Sequence, residues 1–360
     1  MDTKERPTLR PGKATMSDVA RRAGVSAATV ARVIYNNGYV KRETRAAVEA
    51  AVRETGYRPN MMARGLRTNR SFTLGLVVSE SRLNAFHPAV AHAVQVEALR
   101  QGYTVLTLNN NADAETEATG VRRFLDHHVD AVIFCSAMSP GNVRTIAENG
   151  IPTVQVERRI ADIGGVVTVD AREGMRDAID HLHALGHRAF AYLGGQVDSS
   201  QMEGRPEDAI EAVRERLFIE NLQRHGIAAD PARMLAAPYY DGSKPARQPG
   251  HRLMRQLLDL PDPPTAVICG SDLLAAAALQ AISEAGLRVP RDISVIGYDD
   301  SMAEILTPAL TSIAQPIEEL GGRAVTMALE LIQNPIATPR TLTTKTRLVL
   351  RESTGRAASR

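Results

Sequence analysis

The chain has 360 residues, which is enough for two or three domains, and its 44% hydrophobic and 23% charged residues are typical of a globular protein. No apolar run reaches the roughly 18 residues of a membrane span, and the polar, basic tail 1–14, which we expect to be disordered, lacks the apolar core of a secretory signal. The first 70 residues hold 15 Lys and Arg against 6 Asp and Glu, whereas the rest of the chain holds 28 against 35. A basic segment joined to an acidic body indicates a polyanion-binding module fused to another domain.

Two short helices joined by a turn are predicted at the start of the basic segment. Thr15 and Asp18 have the spacing of an N-terminal capping box, and Gly24 can adopt the left-handed backbone that ends a helix. Ser26 can cap a second helix, which we expect to run to about Tyr35.

A third helix is predicted from Arg42 to Thr55, ended by Gly56 and opened by Lys41, a residue without a capping side chain. The small and apolar positions expected to face inward in the first two helices are Val19, Ala20, Ala23, Val30 and Val33. This plan is that of a helix-turn-helix, whose second helix enters the DNA major groove; a generic helical hairpin is the alternative.

The rest of the chain alternates short apolar runs with amphipathic stretches, the pattern of a parallel sheet wound with helices. The predicted strands are Leu74–Val78, Val105–Leu108, Ala131–Phe134, Thr153–Val156, Val166–Val169, Ala189–Leu193, Ala266–Cys269 and Ser294–Ile296. The helical stretches include Ala89–Gln101, Glu115–His128, Gly174–Leu185 and Leu273–Ala285. Because these strands are many for one sheet covered on both faces, we predict two sequential doubly wound subdomains.

Polar residues follow many of the predicted strands, and ligands of open α/β sheets bind at the carboxyl ends of strands. These residues are Ser79-Glu80, Asn109, Ser136, Glu157-Arg158, Gly194-Gly195, Ser271-Asp272 and Tyr298-Asp299-Asp300. Fixed donors and acceptors of this kind suit a hydroxyl-rich ligand, although a residue of this kind taken singly is more often an ordinary loop residue than a ligand contact.

Motifs of the common enzyme classes are absent from the body: we find no nucleophile elbow, phosphate-binding loop or dinucleotide fingerprint. Cys135 and Cys269 each lie in an apolar run without His or Cys at metal-ligand spacing, so we interpret them as reduced core residues. We therefore expect no catalysis, no cofactor and no metal.

Several segments together resemble the LacI/GalR family of transcription regulators in order and spacing. They are residues 15–33, Val40, Thr44-Arg45, Gly56-Tyr57-Arg58-Pro59-Asn60, Ala63-Arg64-Gly65-Leu66-Arg67 and the C-terminal Arg351-Glu352-Ser353-Thr354. The resemblance implies an N-terminal all-α helix-turn-helix domain (15–60), a hinge helix or linker (61–70) and an α/β periplasmic-binding-protein-like effector domain (71–354), with a tail at 355–360. It further implies two doubly wound parallel-sheet subdomains, the first about 71–168 and 316–330, the second about 169–315 and 331–354.

The resemblance also implies which residues contact DNA. Arg32 and the alanines before it lie where the family reads base edges, and Arg32 can make bidentate contacts to guanine. Leu66 of the hinge would wedge between base pairs in the minor groove, and we expect the hinge, which contains Gly65, to fold only on DNA. The implied DNA-binding residues are Thr15, Ser17, Ser26, Ala27, Ala28, Thr29, Arg32, Asn36, Tyr39, Asn60, Ala63, Leu66 and Arg67.

The effector site follows from the polar strand ends and from the resemblance together. Asp272 stands where the family's Asp commonly holds ligand hydroxyls, and Arg214 is our choice for the anchoring arginine, with Arg205 and Arg216 as alternatives. The expected ligand-binding residues are Asn84, Phe86, His87, Asn109, Ser136, Glu157, Arg214, Tyr240, Asp272 and Gln315. The effector expected from the family is a sugar, a polyol or a sugar acid.

The sequence thus predicts a cytoplasmic, nucleoid-associated repressor whose affinity for a near-palindromic DNA operator is controlled by a small molecule. We expect a homodimer with no membrane partner, because no heptad-repeat tail follows the last strand; a tetramer stays open, as does the choice between inducer and corepressor. A solute-binding receptor without a specific operator is the alternative function, and an enzyme tethered to DNA is a second one.

Overall fold

The structure, a computed structural model, describes residues 14–58, 65, 68–79, 85–196, 209–239, 248–334 and 340–358. Contacts within the chain divide it into two units, Met1–Ser71 and Phe72–Arg360. Each unit has a hydrophobic core of its own. No helix in the described ranges is long and apolar enough to cross a bilayer.

The first unit contains three helices: α1 (Met16–Ala23), α2 (Ala27–Ile34) and α3 (Arg42–Thr55). Both halves of the capping box between Thr15 and Asp18 are formed, and the hydroxyl of Ser26 accepts the amide N–H of Thr29 at 3.1 Å. Gly24 ends α1 in the left-handed region at φ 66°, as its sequence position predicted. Lys41 opens α3 without a side-chain capping bond.

The core of the first unit is small. Its buried residues are Val19, Ala20, Val30, Val33, Val48 and Ala51, with Ala23 partly buried against them. The inward-facing positions predicted from the spacing in α1 and α2 are therefore confirmed. Most of the hinge segment 61–67 lies outside the described residues; within it, the carbonyl of Gly65 accepts the amide N–H of Arg70 at 3.3 Å.

The second unit contains two six-stranded sheets. The first has the strand order β11-β5-β4-β3-β1-β2 and is parallel throughout. Its strands are β1 (Thr73–Val78), β2 (Thr104–Asn109), β3 (Ala131–Cys135), β4 (Thr153–Val156), β5 (Gly165–Asp170) and β11 (Thr341–Lys345). Helices α4 (Phe86–Arg100) and α11 (Ile317–Gln333) pack on one face, and α5 (Ala114–Asp126) and α6 (Pro140–Glu148) pack on the other.

The second sheet has the order β12-β10-β9-β8-β6-β7, and only the edge strand β12 runs antiparallel among the strands described. Its strands are β6 (Phe190–Gly195), β7 (Met234–Ala237), β8 (Ala266–Cys269), β9 (Ser294–Asp299), β10 (Thr311–Ala314) and β12 (Arg347–Val349). Helices α7 (Arg172–Ala184) and α8 (Ile210–Arg224) cover one face, and α9 (Pro249–Leu258) and α10 (Asp272–Glu284) cover the other. Two doubly wound subdomains, as predicted, make up this unit.

The chain crosses between the sheets three times, as the expected subdomain bounds imply, but the third crossing comes later in the chain than expected. It passes after Asp170, at Gln315-Pro316 and again at Thr346, between β11 and β12. Assigning all of 331–354 to the second subdomain was therefore wrong, because β11 pairs with β5 in the first sheet. The border at 168 also falls inside β5. The sequence of β11 is polar and its residues are largely exposed, so no apolar run marked it.

Both cysteines are free and buried, as their apolar surroundings predicted. Burial raises the pKa of each thiol, so neither is a reactive thiolate.

Candidate functional sites

The outer face of α2 carries the residues expected to read DNA. Ala27, Ala28 and Arg32 are exposed, while Val30 and Val33 on the opposite face are buried in the core. Ala28 and Arg32 are four residues apart, so they share one helix face. Because the alanine side chains are short, this face leaves room for close approach to the edges of bases.

Residues around α2 complete this surface. Thr15 caps α1 and Ser17 is exposed in its first turn, while Thr29 is half-buried and its hydroxyl lies 2.9 Å from that of Ser26. Asn36, with φ 48°, accepts a hydrogen bond from Arg45 at 3.0 Å, and Tyr39 is 88% exposed. The hinge residues Asn60, Ala63, Leu66 and Arg67 lie outside the described residues.

In the second unit, Arg214 of α8 lies where the carboxyl ends of the two sheets face each other. Its guanidinium donates to the carbonyl of Gly270 after β8 and to Glu157 after β4, both at 3.2 Å. It also stacks over the ring of Tyr298, 3.9 Å from the centroid. Burial would lower its pKa, but Tyr298, Tyr239 and the acidic neighbours outweigh that effect, so the guanidinium stays charged.

Glu157 is the partner of Arg214 from the first subdomain. Its backbone is in the left-handed region at φ 67°, a strained conformation for a side chain of this kind. The Nε2 atom of His87, in the first turn of α4, lies 3.6 Å from its second oxygen. Burial would raise the pKa of Glu157, but His87, Arg158 and Arg214 together lower it to about 2.

A second ion pair crosses the cleft next to the first. Arg158, after β4, contacts Glu211 of α8 through its two terminal guanidinium nitrogens, with Nη1 donating to Oε2 at 3.3 Å. The hydroxyl of Tyr239 donates to Glu211 at 3.3 Å and accepts from Arg214 at 3.5 Å. The two pairs therefore form one network that joins the subdomains.

Asp299 and Gln315 form the floor of the cleft in the second subdomain. The amide nitrogen of Gln315 donates to Asp299 at 2.6 Å, and both side chains are buried. Asp299 has φ 98° at the end of β9, again in the left-handed region. Burial raises the pKa of its carboxyl well above the usual value, an effect that nearby Arg214 reduces.

Asp272, expected to hold ligand hydroxyls, accepts hydrogen bonds from the protein at both of its carboxylate oxygens. One carboxylate oxygen accepts the hydroxyl of Ser312 at 2.7 Å, and the other accepts the amides of Ser301 and Met302 at 2.9 and 3.3 Å. It is 1% exposed, and burial raises its pKa to about 6 against these hydrogen bonds. Its role in the structure is to hold the loop after β9.

Asn109 and Phe86, both expected to bind the ligand, make contacts within the first subdomain. Asn109 accepts the amide N–H of Asn111 at 3.0 Å, whereas its neighbour Asn110 is the fully buried amide, donating to Glu117 and to the carbonyl of Ser136. Phe86 is part of the core of the first subdomain and meets the His87 ring edge-on, with centroids 5.4 Å apart. Phe86 thus positions His87.

The described residues distinguish two of the three candidate anchoring arginines. Arg214 is 3% exposed and faces the cleft, whereas Arg216 is 50% exposed and pairs with Glu220 along α8. Arg205, Asn84 and Tyr240 lie outside the described residues.

Four of the six buried side-chain polar atoms that have no hydrogen-bond partner among the described residues belong to residues of this cleft. They include His87 Nε2, Arg214 Nε, Tyr298 Oη and Gln315 Oε1. Such atoms are costly in a protein interior unless a ligand or water satisfies them. The arrangement is suited to binding a polar molecule. No cluster of three metal-ligating side chains occurs in the described ranges.

The sequence reasoning missed several of these residues as site members. Arg158, Tyr298 and Asp299 stood among the polar strand ends but were not selected, because strand ends alone do not say which side chain turns inward. Glu211 and Tyr239 gave no signal, since their role depends on contacts to residues far away in the chain.

Two protein-family models match the chain. The model described as bacterial regulatory proteins, lacI family, matches residues 15–60, and that of a periplasmic binding protein-like domain matches residues 179–354. The HTH-type transcriptional repressor PurR of Escherichia coli O139:H28 (strain E24377A / ETEC) is 33% identical over 345 residues, covering 94% of this chain and 96% of that protein.

Solved structures of transcription regulators are also similar to this chain over nearly its whole length. A complex of the transcriptional regulator CelR with cellobiose has 30% identity and a TM-score of 0.68, covering 95% of this chain and 100% of that one. The lac repressor dimer bound to operator and the anti-inducer ONPF has 28% identity and a TM-score of 0.72, covering 95% and 99%.

Proposed function

This chain belongs to the LacI family of bacterial regulatory proteins, which makes it a DNA-binding transcriptional repressor under small-molecule control, and we propose that α2 reads its operator while the Arg214 cleft binds its effector. One observation carries this division of roles. The same chain joins a matched DNA-binding domain, with Arg32 exposed on α2, to a cleft where several buried polar atoms lack a hydrogen-bond partner among the described residues.

In the N-terminal DNA-binding domain, residues 15–60, which we call the head, Arg32 reads a base edge. The short side chains of Ala27 and Ala28 permit close contact, as to a thymine methyl. The N-terminus of α2 points toward the groove in this mode of docking, so its exposed amides and the Ser26 cap favour a nearby phosphate. Thr15, Ser17, Asn36 and Tyr39 are assigned to the DNA backbone, and Leu66 to a minor-groove wedge.

In the cleft, Arg214, Asp299 and Gln315 are assigned to effector hydroxyl groups, with Glu157 and His87 contributing from the other subdomain. In this assignment Asp299, and not Asp272 as expected from the sequence, is the aspartate of the second subdomain that binds effector hydroxyl groups. The bound cellobiose of CelR supports a sugar as the class of effector.

The two sites communicate through the arrangement of the subdomains. Two chains present two heads to a near-palindromic operator, since a two-fold dimer reads two half-sites related by its own symmetry. Effector binding draws the subdomains together through Arg214 and Glu157, and this changes the geometry of the paired heads. Coupling between effector and operator is necessarily reciprocal. The protein acts on the nucleoid, in the cytoplasm.

The test is a mobility-shift titration of the purified protein on DNA from around its own gene, at two salt concentrations, with and without a panel of sugars and sugar acids. We expect a discrete shift that resists competitor DNA and that one compound strengthens or releases. The direction of that change identifies a corepressor or an inducer. Tight sugar binding without a specific shift on any fragment would contradict the proposal and support a solute receptor.

A further inference from the structure

The ion pair between Arg158 and Glu211 points to the charge of the effector. We propose that Glu211 is a specificity-determining residue: by neutralising Arg158, it makes the cleft accept uncharged hydroxyl compounds and reject their carboxylated counterparts. The inference rests on the proposed function of the cleft as the effector site and adds to it the class of ligand.

The geometry of this pair leaves Arg158 little capacity for another anion. The two terminal nitrogens of its guanidinium, Nη1 and Nη2, contact the two oxygens of Glu211, which is the strong, two-pronged arrangement of arginine and carboxylate. The side chains are 15% and 9% exposed, so water screens the pair weakly. Tyr239 donates a further hydrogen bond to Glu211 and holds it in this position.

Arg214 is paired with Glu157 through a single hydrogen bond at 3.2 Å, and the buried carboxyl of Asp299 lies close by. Among the described residues of the cleft, carboxyl groups are thus at least as numerous as guanidinium groups. A ligand carboxylate would add a negative charge to a poorly hydrated site, or would have to displace a protein carboxylate into it. Burying a charge without a partner is strongly unfavourable.

The polar atoms left over also favour hydroxyl groups. Arg214 Nε can only donate, Gln315 Oε1 can only accept, and Tyr298 Oη can do both. Hydroxyl groups of a ligand donate and accept, so they can satisfy all three atoms, whereas a carboxylate only accepts. The pattern of donors and acceptors and the balance of charge therefore lead to the same class of ligand.

The experiment uses the full-length protein and pairs of ligands that differ by one carboxylate: cellobiose and cellobionate, galactose and galacturonate, ribose and ribonate. Isothermal titration calorimetry measures both members of each pair on wild type, Glu211→Gln and Glu211→Asp. Glu220→Gln is the matched control, because it removes a carboxylate from an exposed ion pair on the same helix.

We expect wild type to bind a neutral sugar and to bind its acid at least about ten-fold more weakly. Glu211→Gln frees Arg158 for the ligand carboxylate, so the preference for the neutral sugar should fall by about ten-fold or more. Glu211→Asp, which keeps the charge, and Glu220→Gln should keep the wild-type preference. A purely structural role for Glu211 would weaken both ligands of a pair equally.

The proposal is overturned if wild type prefers an acid, if Glu211→Gln leaves the preference unchanged, or if no neutral sugar of the panel binds to protein that still binds DNA. Failure of the proposed function, effector control of operator binding, would give a different set of results. In that case the neutral sugar binds and the preference responds to Glu211→Gln, but operator affinity does not respond to the sugar.

Discussion

Replacing Arg214 by methionine tests how the two subdomains are held together. The substitution keeps much of the side-chain length but removes the charge, leaving Glu157, at 8% side-chain exposure, without the arginine that donates a hydrogen bond to it. Breaking a buried ion pair by removing one partner costs about 3–5 kcal/mol. We expect Arg214→Met to lower the free energy of unfolding of the second unit by that amount.

The pKa of Glu157 gives the combined contribution of its three cationic neighbours, His87, Arg158 and Arg214. It falls from the ordinary value of 4.5 to about 2 in the folded protein. At about 1.4 kcal/mol per pKa unit, this corresponds to roughly 3 kcal/mol of stability. Because the folded pKa is the lower one, this stability is present above about pH 4.5 and is lost as the pH falls toward 2.

The assay is urea unfolding followed by circular dichroism, applied to Arg214→Met, Glu157→Gln and the double variant at neutral pH. We expect the double variant to be more stable than the sum of the single effects predicts, by about 1–3 kcal/mol, since neither charge is then left unpaired. The exposed pair Arg216 and Glu220 on the same helix is the matched control, and its loss should cost less than about 1 kcal/mol.

Additive effects, with a coupling below about 0.5 kcal/mol, would refute the view that Arg214 and Glu157 stabilise the fold as a pair. A loss below about 1 kcal/mol in Arg214→Met would refute the magnitude, because it would mean that water or another cation compensates Glu157.

Arg32→Ala should relax the preference at one operator base pair by about 1–3 kcal/mol in mobility shifts on operator variants, whereas equal losses on every sequence would argue against base reading; Arg53→Ala on α3 is the control. Ser26→Ala should cost the head about 1 kcal/mol in thermal unfolding because α2 loses its cap, and a loss no larger than that of Ser17→Ala would contradict this. Asp272 has its pKa raised from 3.8 to about 6, so stability should fall as the pH rises through that window, by on the order of 3 kcal/mol. Asp272→Asn should flatten that slope, and an unchanged slope in a pH series of urea unfolding would show that another group causes it.

Local signals in the sequence determined the helices of the head and the alternation of strands and helices in the second unit. Capping side chains such as Thr15 and Ser26 accept hydrogen bonds from amides three residues away, and Gly24 adopts the left-handed backbone itself. These helix ends depend only on neighbouring residues, so they can be predicted from the sequence. The buried parallel strands could also be predicted from local sequence, because strands covered on both faces are apolar throughout.

Tertiary structure decided what depends on distant parts of the chain. The place of the third crossing could not be predicted because β11 is a polar edge strand, recognisable only by its pairing with β5. Asp272 and Asp299 were indistinguishable as acidic residues near strand ends, and only packing assigns one to a loop and the other to the cleft.

The pairing of charges across the cleft was likewise beyond the sequence. Arg214 and Glu157 are separated by 57 residues, and Arg158 and Glu211 by 53. Composition and motif determined that the chain reads DNA and binds a small molecule. Which carboxylate meets which guanidinium, and hence what charge remains for the effector, was decided by the fold, because that balance exists only where the two sheets bring their carboxyl ends together.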